Sequence, residues 1–73
     1  MSATTEVFAE IAATHKLQQE GRLLAGLGVY YWDRKRGMDT AARATVRLRE
    51  LYAGLDMDDM VRLQAYLAEE NAR

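Results

Sequence analysis

Cysteine and proline are both absent from these 73 residues, and histidine occurs once. Without cysteine there are neither disulfides nor thiolate metal sites. His15 has no suitably spaced companions to hold zinc with it. No run of about eighteen apolar residues occurs, so no membrane-spanning helix is expected. The opening Met1-Ser2-Ala3-Thr4-Thr5-Glu6 lacks the basic and apolar regions of a secretory signal. With the missing cysteines, that start makes the cytoplasm the expected location.

Enzymatic parts are missing too. General acid–base catalysis wants a histidine or paired carboxylates in a sheltered cleft, and here the acids are scattered. Asp56, Asp58 and Asp59 lack the glycine and the glutamate of a calcium-binding EF-hand loop. Capping of a helix explains those aspartates. Gly26-Leu27-Gly28 lies inside an apolar helical stretch and lacks the strand that a phosphate-binding loop follows. No catalytic residue, cofactor or metal is expected, and His15 reads as an ordinary surface or boundary residue.

What is present favours helix. Ala, Leu, Arg, Glu, Met and Gln dominate between the glycines, and they lose little side-chain freedom in a helix. Alternating Val, Ile and Thr segments are missing. The expected fold is all-α: a long first helix over about 5–36 and two shorter ones over 40–53 and 57–70. A chain this short buries only about 60% of its unfolded surface. Oligomerisation is the usual remedy when no staple is available, so homodimerisation is expected to complete the fold.

Thr4 or Thr5 can cap the first helix, with Glu6 near its positive pole. Val7, Phe8 and Ile11 make one apolar stripe, and Leu23, Leu24, Leu27, Tyr30 and Tyr31 make another. Ile11 and Leu27 are separated by a rotation of about 160° on an ideal helix. Either the helix breaks between Thr14 and Gly21 or one continuous helix offers two faces to two neighbours. The helix-forming stretch from His15 to Glu20 favours continuity, and a dimer supplies the second neighbour. Gly21 and Gly28 share a face with Leu17, Leu24 and Tyr31. They suit either a strip where another backbone approaches closely or a kink.

Gly37 is expected to end the first helix, with Arg34-Lys35-Arg36 complementing its negative pole, and Asp39 to cap the second. Ala41, Ala44, Thr45, Leu48, Leu51, Tyr52 and Leu55 then follow helical spacing. Gly54 fits a left-handed closing position. Asp56 is the third N-cap, with Leu55 and Met60 spaced as a hydrophobic staple, and Met57, Met60, Val61, Leu63, Tyr66 and Leu67 are expected to supply the buried stripe. The residues expected in the core or a dimer face are therefore Leu17, Gly21, Leu24, Leu27, Gly28, Tyr31, Leu48, Leu51, Tyr52, Leu55, Met60, Leu63 and Leu67.

The net charge of −1 hides a division. Residues 34–50 carry six basic side chains against Asp39 and Glu50, while both flanks are acidic. Beside this basic segment stands Tyr30-Tyr31-Trp32. Three successive helical residues sweep about 200° of surface, more than one core can absorb. Tyr, Trp and Arg are the residues enriched at interface hot spots. The expected partner-binding set is Tyr30, Trp32, Arg34, Arg36, Arg43 and Arg47. The partner is expected to be a protein. Nucleic acid is the alternative, since the same cations could contact phosphates, but the acidic start of the third helix opposes it. A purely structural self-assembly element is a third reading.

The size, composition and aromatic–basic segment resemble the small helical accessory proteins of temperate bacteriophages, such as anti-CRISPR proteins and a quorum-sensing anti-activator. That resemblance implies a binding inhibitor of a host regulator or defence machine. It includes no motif from which residue roles are carried over.

Overall fold

The computed structural model describes residues 4–73; Met1 to Ala3, part of the segment considered for a secretory signal, lie outside them. Three helices account for nearly all of it: α1 (Thr5–Leu27), α2 (Tyr31–Ala53) and α3 (Met57–Asn71). No strand occurs among the described residues, and none of these helices is long and apolar enough to cross a membrane.

α1 starts where its sequence indicates. The Thr4 hydroxyl accepts from the Val7 N–H at 3.4 Å, and Glu6 lies in the first turn. Its end differs from the expected position. The helix stops at Leu27 and does not run on to residue 36. Gly28 takes an extended conformation, φ −62° and ψ 130°, with its N–H closing on the Leu24 carbonyl at 2.8 Å. A Cβ there would lie 2.7 Å from that carbonyl oxygen and 3.2 Å from the Arg34 nitrogen. The chain thus reverses over Gly28, Val29 and Tyr30.

The reversal exists because of a contact further along. Gly37 is buried inside α2, in its second turn, not at a helix end, and Asp39 is an exposed position within α2, not an N-cap. A Cβ on Gly37 would come within 2.5 Å of the Ala25 nitrogen and the Gly21 oxygen. One on Gly21 would meet the Ala41 nitrogen and Gly37 oxygen at 2.8 Å. The α1 and α2 backbones therefore touch, with Gly21, Ala25, Gly37 and Ala41 clearing the space. Gly21 does serve close backbone approach, but the approaching backbone is α2 of the same chain. Gly28 marks the break.

Polar side chains fasten the same pair of helices. Gln18 donates to the Thr45 hydroxyl at 2.7 Å, and Thr45 donates back to the Ala41 carbonyl at 2.9 Å. His15 Nε2 and the Tyr52 hydroxyl share a hydrogen bond of 2.9 Å. His15 is half-buried, a boundary residue as expected.

Gly54 closes α2 at φ −87°, so the left-handed conformation expected there is not used. Its N–H reaches the Leu51 carbonyl at 3.3 Å instead. α3 begins as anticipated: Asp56 accepts from the Asp59 N–H at 2.8 Å, and the Asp59 carboxylate accepts from the Asp56 N–H at 3.3 Å. Two donors left over by the helix start are thereby satisfied together.

The core forms at the end where α3 packs. Phe8, Ile11, Leu48 and Leu63 are buried, with Leu51, Tyr52, Leu55, Met60 and Leu67 half-buried against them. Leu17, Leu24, Leu27 and Tyr31, expected in a core or a dimer face, are not in this core; all four are exposed. α1 is spent on one side against α2 and α3, and Leu23 and Leu27 of the second apolar stripe stay mostly exposed.

A candidate protein-docking corner

The turn between α1 and α2 brings apolar and cationic side chains to one end of an elongated molecule of 43 × 26 × 16 Å. Reversal at Gly28 means that Tyr30, Tyr31 and Trp32 begin a new helix and do not finish an old one. No core lies beneath them, because the residues below are the glycine contact. Leu27, Val29, Tyr30, Tyr31 and Trp32 are 77%, 84%, 70%, 62% and 69% exposed. Tyr31 and Trp32 pack edge to face, their ring centroids 5.2 Å apart, and the Lys35 ammonium lies 5.7 Å from the Trp32 ring centroid. These contacts hold the rings in place without hiding them.

Cations surround the rings. Arg34, Lys35, Arg36 and Arg43 form no ion pair among the described residues. Together with Asp33 and Asp39 they give residues 30–43 a charge of +2, in a chain whose total is −1. Relocating the helix boundary reverses the electrostatic role of the basic run. Arg34, Lys35 and Arg36 do not complement the negative end of α1; they stand near the positive end of α2, where the dipole disfavours them. Asp33 is the one acidic residue in that first turn, and no side chain caps it. The corner therefore carries a net positive charge.

Two shallow grooves flank the ridge made by Lys35 and Asp39. One, of about 630 Å³, is lined by Tyr31, Arg34, Met38 and Ala25 of α1. The other, of about 340 Å³, is lined by Trp32, Arg36, Thr40 and Arg43. Four of the six expected partner-binding residues, Trp32, Arg34, Arg36 and Arg43, line these two grooves, and Tyr30 is exposed at the start of α2. Arg47 does not join them. Its guanidinium donates to Glu10 of α1 through Nε at 2.9 Å and through a second nitrogen, and to Glu50 at 3.1 Å. The hydrogen bond to Glu10, then that to Glu50, raises its pKa above the ordinary value. Arg47 is a clasp between helices.

Sequence reasoning missed Val29 and Met38, both exposed beside the rings. Val29 was hidden by the expectation of a continuous helix. The signal that could have revealed both is Gly28 itself, seen as an end. Among the described residues, no group of three His, Asp or Glu side chains could hold a metal ion. The side chains at this corner offer apolar area, planar cations and hydrogen-bond donors, which is chemistry for recognition. No protein-family model, curated protein or solved structure matches this chain.

Proposed function

We propose that this chain is a non-enzymatic protein-binding module, a small regulator or inhibitor that docks on a host protein and blocks it. A transcriptional regulator or a defence complex is the kind of target intended, and a temperate bacteriophage the kind of source. The observation that carries the reading is the exposure of Tyr30, Tyr31 and Trp32 amid four cations that form no ion pair among the described residues. Such rings supply large, rigid contact area, and Arg supplies planar charge-assisted hydrogen bonds. Opposite charge steers association and sets orientation, so the surface contacted is acidic.

Affinity capture from nuclease-treated lysate, followed by mass spectrometry, tests this reading. A bound protein should be lost in parallel by Trp32→Ala and Tyr30→Ala. Each substitution should weaken binding by more than about 2 kcal/mol, or about thirtyfold, as a hot spot does. Both side chains are mostly exposed, so the helical circular dichroism should not change. Undiminished capture by both variants would remove the claim.

An exposed tryptophan beside exposed cations also suits single-stranded nucleic acid, by stacking and phosphate contact. Arg47 is withdrawn from that footprint by Glu10 and Glu50, which shortens it. Nucleic acid as ligand predicts a gel shift at low salt that fades steeply between about 50 and 200 mM; the protein-docking reading predicts none.

A further inference from the structure

The outer face of α1, turned away from α2, has a distribution of side-chain sizes that complements itself. At 100° per residue, this face holds Ala9, Ala12, Ala13, Lys16, Glu20, Leu23, Leu24 and Leu27. Its first half is small and its second half is large. Leu23 and Leu27 are 60% and 77% exposed and Leu24, partly covered by its own protomer, is 36% exposed. The alanine half is the floor of a groove of about 680 Å³ between α1 and α3, walled by Tyr66, Leu67 and Glu70.

We propose that a second copy of this chain packs antiparallel along α1, with the two-fold axis level with Gln18. That register sets Ala9 against the partner's Leu27, Ala12 against the partner's Leu24, and Ala13 against the partner's Leu23. Large meets small at these three steps and at their symmetry mates, within a contact about 27 Å long. Lys16 then faces the partner's Glu20, and symmetry supplies the same pair again, which is how an isologous contact works. Neither Lys16 nor Glu20 forms an ion pair within the described protomer. The two ends of the molecule add to the match. The turn end is cationic, while residues 56–73 carry five carboxylates against Arg62 and Arg73. An antiparallel pair places each cationic end beside the partner's acidic one. The contact lies on α1 and takes in Leu27 at the edge of the corner, while Trp32, Arg36 and Arg43 on α2 stay open, so the Trp32→Ala capture experiment tests the docking reading separately.

Charge exchange on the full chain tests it. Lys16→Glu creates Glu–Glu contacts across the axis and Glu20→Lys creates Lys–Lys contacts. Each variant alone should dimerise more than about tenfold more weakly, since two exposed pairs change sign. Mixed together, the two variants restore both pairs, and sedimentation velocity should show a heterodimer at wild-type affinity. Leu27→Asp, at a mostly exposed position, should give a monomer with unchanged circular dichroism. A wild-type chain that stays monomeric to millimolar concentration overturns the proposal. So does a dimer that survives Leu27→Asp and gains nothing from mixing.

Discussion

At the residue scale, glycine has opposite meanings at different positions in this chain. Gly37 and Gly21 lie where two helix backbones meet, and a methyl group at Gly37 would sit 2.5 Å from backbone atoms that cannot swing aside. Gly37→Ala is expected to destabilise the fold by about 1–3 kcal/mol, as overpacking does, despite the helix propensity it gains. Gly26 is also in α1, but a Cβ there meets nothing within 4 Å. Gly26→Ala should therefore stabilise by up to about 1 kcal/mol, the propensity difference alone. Urea unfolding of the two variants checks both signs: the midpoint falls for one and rises for the other. A glycine in a sequence shows that a side chain is missing, not whether another backbone fills the space.

At the scale of elements, the three helix starts were unequally legible. Thr4 and Asp56 cap α1 and α3 through their own side chains, so local chemistry identifies both. Asp56→Ala should cost about 1 kcal/mol. In a domain of this size that lowers the melting temperature by about 4–8 °C, which calorimetry can read. The start of α2 has no such device. Tyr30 is its N-cap and makes no side-chain cap hydrogen bond. Gly37, with a basic run before it and Asp39 after it, has every local attribute of a helix end followed by a new start. It is nonetheless inside a helix, because the contact with Gly21 and Ala25 outweighs propensity. Arg47 was misplaced for a related reason: its carboxylate partner Glu10 lies on another helix.

At the scale of the whole molecule, the two ends are built differently. Phe8, Ile11, Leu48 and Leu63 form an apolar core at one end, while the turn end rests on a backbone contact under exposed rings. Local opening free energy follows buried apolar contact. Amide hydrogen exchange should thus be slowest around Ile11, Leu48 and Leu63 and clearly faster from Arg22 to Arg34. Uniform protection along α1 and α2 would contradict this division. The same unevenness leaves the corner available for recognition, since side chains that pack no core are free to meet another molecule.

Composition and periodicity determined the all-α class, the caps of α1 and α3, and the Met60, Leu63, Tyr66 and Leu67 part of the α3 stripe, because each depends on neighbours within a few residues. Met57 and Val61, expected in that stripe, are exposed. The crowding of Tyr30, Tyr31 and Trp32 also announced a surface feature without help from the fold. Tertiary structure decided between Gly28 and Gly37 as the end of α1. It also decided that Gly37 is buried and that Arg47 clasps Glu10. Those outcomes depend on which backbone lies against which, and short-range residue preferences are too weak to decide it.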